Sequence, residues 1–260
     1  MAKQPKFTIK QFNETFPDDD ACLEVLKDLI YPEGIICRQC DKVRPHHRLS
    51  NRKAYSCDYC GTHVYPLAGT IFEKSTTSLK SWFYAMFLIS STRCGISAKQ
   101  LERELGVTYK TAWRMFNQIR KLMGEDLGTM GGLKSVEIDE AYIGGRKRRI
   151  KGQPSPESQK IAVLGIVERG GKVAALVTGN AKRATIMPII KEKVLPRSMV
   201  YTDEYGAYTR LDQHYSHRRI PHNEKVYVMG DIHTNTIEGF WSLLKNGIRG
   251  VYHSVSSKHL

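Results

Sequence analysis

The sequence lacks long apolar stretches, and this lack excludes whole classes of protein. Its longest apolar run, at residues 82–89, is far shorter than the ~20 residues that a membrane-spanning helix needs. Residues 1–20 also lack the apolar core of a signal peptide. We therefore expect a cytoplasmic protein without a membrane partner, in a compartment where cysteines stay reduced.

Acidic residues are few beside the basic ones, since 26 Asp and Glu face 40 Lys and Arg and give a formal net charge of +14. This surplus predicts a polyanionic partner, with nucleic acid favoured over a membrane surface. A basic protein that is merely soluble is the alternative. Hydrophobic residues make up 41% of the chain, which is enough to build a core and excludes wholesale disorder.

Cysteine is scarce, with six residues in all, but four of them form two C-x2-C pairs: Cys37, Cys40, Cys57 and Cys60. The pairs are separated by 16 residues, a spacing typical of a structural zinc site with four thiolate ligands. Two disulfides or unrelated cysteines are the alternative, and His63 could replace one ligand. Cys22 and Cys94 stand alone, and we expect both to be buried small apolar residues.

The segment between the cysteine pairs is basic and contains a single acid, Asp41. Its cations and histidines are Lys42, Arg44, His46, His47, Arg48, Arg52 and Lys53. They predict either contact with phosphates or an ordinary solvated face, and the pattern leaves both open. We assign residues 35–68 to a zinc ribbon, and 1–34 to a helical segment whose amphipathic helix at 15–31 ends before Gly34.

Helical periodicity returns at residues 78–93, 97–105 and 109–123. Gly106 would turn the chain between the last two helices and Thr108 would cap the second, a pattern typical of a helix-turn-helix at 69–124. The second helix would offer four side chains to solvent: Tyr109, Lys110, Arg114 and Gln118. We predict that Lys110 and Arg114 contact DNA, and an ordinary helical hairpin is the alternative.

From residue 133 the pattern changes to short runs rich in β-branched residues. A glycine-rich linker at 124–132 precedes three strands on short connections, a helix with Pro188 near its first turn, a further strand and a last helix at 235–244. This order predicts an antiparallel meander extended by a crossover strand, forming a mixed sheet covered by helices.

Three acids carry the prediction of catalysis. Asp139 and Asp203 end two of the strands, and Glu238 lies near the start of the last helix. An acid in an apolar strand is costly unless it is paired or binds a cation, so neighbouring strands could hold both aspartates against two Mg²⁺ or Mn²⁺ ions. Asn235 could replace or assist Glu238 as the third ligand, or these two residues could instead form a capping box.

Further charged residues lie near these acids in the sequence. Lys245 follows Glu238 by two helical turns and shares its face, so it could contact a DNA phosphate. We expect three neighbouring acids on the opposite side of the sheet, because side chains alternate along a strand: Glu137, Glu140 and Glu204. A basic run would lie at the tip of a hairpin beside the site and neutralise DNA phosphates, or it would form an ordinary exposed loop. The run includes Arg146, Lys147, Arg148 and Arg149.

Together these segments resemble the bacterial insertion-sequence transposases that join a zinc ribbon and a helix-turn-helix to a DDE domain, and whose eukaryotic relatives are the Merlin elements. The likeness rests on the two cysteine pairs and on three blocks in the family order. These blocks are DEAYIGG at 139–145, YTDEYGAY at 201–208 and HTNTIEGFWSLLK at 233–245. The resemblance covers almost the whole chain.

The resemblance implies a multi-domain α+β and α/β fold with a ribonuclease H-like catalytic domain at 133–260, in which Asp139, Asp203 and Glu238 bind Mg²⁺ or Mn²⁺. It implies a nucleoid-associated transposase that cleaves element ends and joins them to target DNA, as a homo-oligomer of at least two protomers, without a small-molecule substrate. In the family a further helix follows the segment ending at Leu260, and without it we expect Glu238 to be less well buttressed. A non-catalytic DNA-binding derivative and a structure-selective nuclease are the alternatives.

Overall fold

The computed structural model describes residues 7–124, 128–144, 160–220, 233–253, 255 and 260. The chain divides into two compact units, Met1–Gly124 and Glu125–Leu260, and each has hydrophobic core residues of its own. Within the described residues, no helix is long and apolar enough to cross a membrane.

The first unit combines helices with short strands. Its helices are α1 (Ile9–Thr15), α2 (Asp19–Ile30), α3 (Leu79–Ser91), α4 (Ala98–Leu105) and α5 (Tyr109–Met123). Its strands are β1 (Ile36–Cys37), β2 (Lys42–Val43), β3 (His46–Arg48), β4 (Tyr55–Cys57) and β5 (His63–Val64). Strands β1 and β2 form a hairpin, and β3, β4 and β5 form a second antiparallel sheet. Helices α2 to α5 correspond to the four helices predicted from periodicity.

Helix α1 is not among the predicted helices. It begins at a capping box in which Thr8 and Gln11 each accept a bond from the other's backbone amide. Its buried Phe12 packs on α3, with ring centroids 5.3 Å from Phe87 and 5.5 Å from Tyr84. Seven residues are too few for a helix that is stable in isolation. Helix α1 is therefore stabilised mainly by its aromatic packing on α3.

One core joins the helices of the first unit to the ribbon strands. Trp82 of α3 is fully buried, meets Phe72 edge-on at 5.6 Å and donates from Nε1 to Ser75 Oγ at 2.9 Å. Tyr55 of β4 belongs to the same cluster, and its hydroxyl donates to Glu24 Oε1 of α2 at 2.6 Å. The ribbon and the helices therefore share one core.

The two isolated cysteines differ in burial. Cys22 is fully buried in the core of the first unit, as expected. Cys94 is exposed, so the expectation for this residue is wrong. It lies beyond the end of α3, in a turn closed by the bond from Gly95 N to Thr92 O, outside the face that α3 buries.

The second unit is built on one five-stranded sheet. Its strands are β6 (Val136–Ile143), β7 (Ile161–Glu168), β8 (Val173–Thr178), β9 (Met199–Thr202) and β10 (Ser216–Arg219). Its helices are α6 (Arg183–Lys193) and α7 (Asn235–Gly247), and α7 continues into a π-helical turn at Ile248–Tyr252.

The order across the sheet is β10-β9-β6-β7-β8. Strands β6, β7 and β8 form an antiparallel meander, and after α6 the chain returns through β9, parallel to β6. The predicted mixed sheet is thus confirmed. Strand β10, parallel to β9, is not among the predicted strands, because its sequence SHRR lacks the apolar alternation that marks a strand.

Helices and turns cover both faces of the sheet. On one face, buried Val136, Ile138 and Leu164 belong to a cluster with Ile186 and Ile190 of α6. On the other face, a second cluster joins strand residues to α7: Ala141, Ile143, Val163, Val167, Ile237 and Trp241. Residues of β6 with even numbers therefore face α6, and those with odd numbers face α7.

Two details of this unit correct the sequence analysis. Helix α6 begins at Arg183, so Pro188 lies inside it rather than in its first turn. The glycine-rich stretch is not a linker throughout, because Met130 is 1% exposed and its amide donates to Lys193 O at 2.8 Å. The amides of Gly131 and Gly132 also donate to Glu168 Oε1 and Ser198 Oγ, so residues 130–132 are attached to the second unit.

Candidate functional site

The four paired cysteines come together as one ligand set. Their sulfur atoms all lie within 4.8 Å of one another, and Cys37 Sγ is 3.4 Å from Cys60 Sγ. Each pair lies on a tight turn, closed by a bond from Asp41 N to Cys37 O in the first and from Gly61 N to Cys57 O in the second. Asp41 and Gly61 both have positive φ, 53° and 73°, which turns the chain sharply enough for both sulfurs of a pair to face one point.

The chemistry of these thiols suits zinc. Bonds with Thr62 lower the pKa of Cys60 to about 6, whereas the bond with Cys60 raises the pKa of Cys40 to about 12, so the match to zinc rests on the positions of the sulfurs. Four convergent sulfurs match the tetrahedral preference of Zn²⁺. The arrangement supports a structural zinc ion, as the cysteine spacing predicts.

Several cations of the ribbon are engaged within the protein. Arg48 Nη2 and Lys53 Nζ each lie 2.8 Å from an acid at the start of α2, Asp20 and Asp19 respectively. Arg44 stacks on the Tyr59 ring at 4.7 Å. These contacts hold the ribbon to α2 or stabilise its turn. The two predicted alternatives, phosphate contact and a solvated face, did not include this role.

Helices α4 and α5 form a capped pair. Ser97 caps α4, Gly106 ends it in the left-handed region at φ 62°, and Thr108 caps α5 by accepting from Thr111 N. Leu101 is fully buried between the helices. The predicted turn at Gly106 and cap at Thr108 are confirmed, while the role of the pair as a DNA-reading helix-turn-helix stays a prediction.

The residues predicted to face solvent on α5 divide into two groups. Tyr109 and Lys110 are exposed. Arg114 is half-buried, with its guanidinium 5.5 Å from the Trp82 ring and Nη2 3.3 Å from Ser75 Oγ. Gln118 is also half-buried, so the expectation of full exposure is wrong for these two. Helix α5 packs Arg114 towards Trp82 of α3, on the edge of the core.

Asp139 lies inside β6, and Asp203 directly follows the neighbouring strand β9. The expectation that Asp139 ends its strand is wrong, because β6 continues to Ile143. Strands β6 and β9 are parallel, with Glu137 opposite Tyr201. Extended by two residues, this register sets Asp203, just past the end of β9, level with Asp139. Adjacent strands lie ~4.8 Å apart, so the two carboxylates can act on a shared ligand.

The surroundings of Asp139 raise its pKa. Burial, and after it the negative charge of Asp203, raises the pKa of Asp139 to about 6. Glu238 adds a smaller repulsion in the same direction. A carboxyl group repelled by two others favours a cation among them.

Trp241 of α7 holds Asp139 in place, with Nε1 donating to Oδ2 at 3.0 Å. Its ring lies against Gly165, which pairs with Asp139 across β6 and β7. A Cβ at Gly165 would lie 2.5 Å from Trp241 Cζ2. The sequence analysis does not identify this contact, although a glycine inside an apolar strand is a sign of close approach.

Glu238 lies in the first turn of α7, and its side chain is exposed. Thr234 is the N-cap residue of the helix, and its hydroxyl donates to Glu238 Oε1 at 3.0 Å. The alternative in which Asn235 caps the helix is therefore wrong, because Asn235 is already the first helical residue. Asn235 and Lys245 are both exposed, and their roles stay predictions.

The carboxylates do not form a closed ligand set. Among the residues that the structure describes, only the cysteines bring three or more His, Cys, Asp or Glu ligand atoms close enough to hold one ion. Strand register brings Asp139 and Asp203 together, and Glu238 acts on Asp139 through its charge. The basic run with Arg146, Lys147, Arg148 and Arg149 lies outside the described residues.

The neighbouring acids occupy different faces. Glu140 faces away from α7, accepts from the Tyr208 hydroxyl at 2.7 Å and has its pKa raised to about 7 by burial. Glu137 faces α7 and accepts from Ile237 N. The expectation that Glu137 lies opposite Asp139 is wrong, because residues two apart along a strand share a face. Glu204 is exposed.

The second unit corresponds to a known domain. Residues 130–260 match the family model of the ISXO2-like transposase domain. The chain belongs to the ISXO2-like transposase family. Residues 17–63 match the transposase zinc-ribbon domain, which includes α2 and all four cysteines.

The chain is similar to two uncharacterized proteins whose names connect them with transposition. The chain is 27% identical over 259 residues to an uncharacterized protein in transposable element ISH50 of Halobacterium salinarum, covering 92% of this chain and 87% of the relative. It is 39% identical over 79 residues to an uncharacterized transposase-like protein of Haemophilus influenzae, covering 30% of this chain and 63% of the relative. No solved structure matches the chain.

Proposed function

We propose that this chain is a DDE transposase that cuts the ends of its element and joins them to target DNA. Asp139, Asp203 and Glu238 would hold two Mg²⁺ or Mn²⁺ ions, with Asn235 replacing or assisting Glu238. The observation that carries this proposal is the parallel register of β6 and β9, which sets Asp203 level with a partly buried Asp139.

The donor set fits hard divalent cations. All three acids offer carboxylate oxygens, the ligands that Mg²⁺ prefers. Burial and the negative charge of Asp203 raise the pKa of Asp139. A bound cation would relieve this repulsion between the carboxylates. When bound, two such ions supply charge stabilisation to the attacking and leaving oxygens of an in-line displacement.

The chemistry is a pair of direct phosphoryl transfers. In the first, a water oxygen bonds to phosphorus while the bond to the 3′ oxygen breaks, and that oxygen leaves as a hydroxyl after gaining a proton. In the second, the freed 3′-hydroxyl loses its proton and bonds to a phosphorus of target DNA, whose own 3′ oxygen leaves. The three acids would hold the cations that position the reacting phosphate, and Lys245, exposed on α7, would contact a neighbouring phosphate.

The architecture supports the same reading. The strand order, with a meander followed by parallel strands on one side, is that expected of a ribonuclease H-like domain. The net charge of +14 suits double-stranded DNA as partner, with the zinc ribbon and the α4–α5 pair recognising element ends. Joining two ends calls for at least two protomers, at the nucleoid.

A non-catalytic DNA-binding protein is the second candidate. One observation favours it. The Glu238 side chain is exposed and accepts a hydrogen bond from the Thr234 hydroxyl. Such a protein would keep the ribbon and the helix pair and would bind element ends without cutting them.

The test is cleavage and joining of DNA that carries the terminal sequences of the element, with Mg²⁺ or Mn²⁺. We expect Asp203→Asn to abolish both products, because it removes a carboxylate from the shared site. Asp212→Asn, the same change at an exposed acid of this unit, is the matched control and should remain active. Binding without cleavage by the wild type would establish the second candidate, and cleavage without joining would indicate a nuclease.

A further inference from the structure

Glu137 is a fully buried acid in the second unit, on β6 two residues before Asp139. Its Oε1 accepts from Arg169 Nε at 2.7 Å and from Thr236 Oγ1 at 2.9 Å. Its Oε2 accepts from Ile237 N at 2.9 Å. Both oxygens are therefore occupied by protein donors, which argues against Glu137 as a metal ligand.

The bond from Ile237 completes the start of α7. The N-cap residue, Thr234, makes no side-chain cap bond, so the third amide of the helix is satisfied by an acid from the sheet instead. A negative charge at a helix N-terminus is favourable because it meets the positive end of the helix dipole. Glu137 thus serves as a helix cap supplied by strand β6. The residue that it caps, Ile237, directly precedes Glu238.

Arg169 extends this contact to the residues before α7. It follows β7 and pairs with Glu137, and its Nη2 donates to His233 O at 2.6 Å. Its guanidinium lies 4.2 Å from the Tyr201 ring, and Tyr201 is the β9 residue opposite Glu137. The guanidinium therefore touches β6, β9 and the segment that enters α7.

A buried ion pair of this kind is a poor means of gaining stability. Removing two charges from water costs several kcal/mol per ion, and apolar residues of the same volume often stabilise a protein as well or better. A buried pair is more useful where it fixes one geometry. Here the geometry in question is the distance between the first turn of α7 and strand β6.

We infer that Glu137 and Arg169 are positioning residues that fix Glu238 relative to Asp139. Glu137 bonds directly to the turn that carries Glu238, and Arg169 holds His233, two residues before α7 begins. This inference rests on the proposed function, since it concerns the site formed by the same acids. It predicts that loss of the pair weakens metal binding and loosens the first turn of α7, without a general loss of structure.

The test uses the full chain, loaded with zinc, and Mn²⁺ as the probe. Glu137→Gln keeps the shape but removes the charge, and we expect Mn²⁺ binding measured by calorimetry to weaken ~10–100-fold. Thr236→Val removes one bond at an exposed position and should weaken binding in the same direction by less. Asp139→Asn identifies the heat that comes from this site.

Glu168→Gln is the matched control. Glu168 is also a buried strand acid in an ion pair, but its partners are Lys134 Nζ at 2.9 Å and Gly131 N at 3.2 Å, away from α7. We expect it to leave Mn²⁺ affinity unchanged even if it lowers the melting temperature. An equal loss of affinity in both variants would overturn the inference, because general destabilisation would then explain it.

Hydrogen exchange gives a readout that needs neither metal nor DNA. In Glu137→Gln, amides in the first turn of α7 should exchange faster, while those of β6, β7 and β8 stay protected. Unchanged exchange in this turn would overturn the inference whatever the metal data are. If the wild type shows no Mn²⁺ binding that depends on Asp139, the proposed function fails, and faster exchange would still support the positioning of α7.

Discussion

At the scale of single residues, the absence of a side chain at Gly165 leaves room for the Trp241 ring beside Asp139. The ring can donate to Asp139 Oδ2 only because no side chain rises from the strand beneath it. Ile237 Cδ1 would also lie 3.0 Å from a Cβ at this glycine. Both side chains are buried in the core, so an added methyl group would have to displace them and the helix α7 that carries them.

We therefore expect Gly165→Ala to lower the free energy of unfolding of the second unit by ~1–3 kcal/mol, the usual cost of overpacking a core. Urea unfolding followed by circular dichroism would measure it. Gly179→Ala is the matched control, because a Cβ at Gly179 meets nothing within 4 Å. Equal stability of the two variants would contradict the proposed close approach.

The sequence identifies some residues of the candidate site and misses others. Asp139 and Asp203 stand out because acids are rare in and directly after apolar strands. Glu137 is assigned to the wrong face by the sequence analysis, although its spacing from Asp139 could have corrected this. Its partner Arg169 lies far along the chain and carries no local signal, since only the tertiary fold brings it to Glu137.

At the scale of elements, helix α5 separates its basic residues by role. Lys110 is exposed in the first turn, whereas Arg114, one turn later, packs on Trp82 of α3. A side chain that already packs within the unit contributes to stability, and a free cation contributes to phosphate binding.

We expect Lys110→Ala to weaken DNA binding and to reduce the slope of log affinity against log salt by ~0.9, the value for one phosphate contact. Fluorescence anisotropy over a salt series would measure it, and Lys10→Ala, at an exposed position of α1, is the control. An unchanged slope would place Lys110 outside the DNA interface.

We expect the opposite pattern for Arg114→Ala. This change removes the bond to Ser75 and the packing on Trp82, so it should lower the melting temperature of the first unit. Thermal unfolding would measure the change beside Lys110→Ala, which should unfold like the wild type. If Arg114→Ala weakens DNA binding with no loss of stability, its contacts within the unit are dispensable and the predicted DNA contact is supported.

Element prediction succeeds where apolar periodicity is long and fails where elements are short. Strands β6, β7 and β8 and helices α2 to α5 carry clear periods and are predicted. Helix α1 and strand β10 depend on partners, α3 for the first and β9 for the second. Their local sequences alone are too short or too polar to specify them.

At the scale of the whole molecule, the chain has two units with separate cores. The zinc ribbon belongs to the first through Tyr55, which lies in the core with α2 and α3. Loss of zinc should therefore reach beyond the ribbon itself, into the helices that share this core.

We expect removal of zinc by a strong chelator to increase hydrogen exchange in α2 and α3 as well as in β4, because the metal contributes folding free energy. The strands β6, β7 and β8 should keep their protection. Exchange limited to the ribbon strands would contradict a shared core. Restored protection after zinc is added back is the control for irreversible damage.

The reach of Arg169 also decides where the chain can be lengthened. A hairpin turn such as residues 169–172 is ordinarily a favourable place for a peptide insertion. Here its first residue bonds to Glu137, so an insertion would displace the guanidinium from the start of α7. An affinity tag or a reporter peptide is better inserted after Gly179, where the backbone has open space around it.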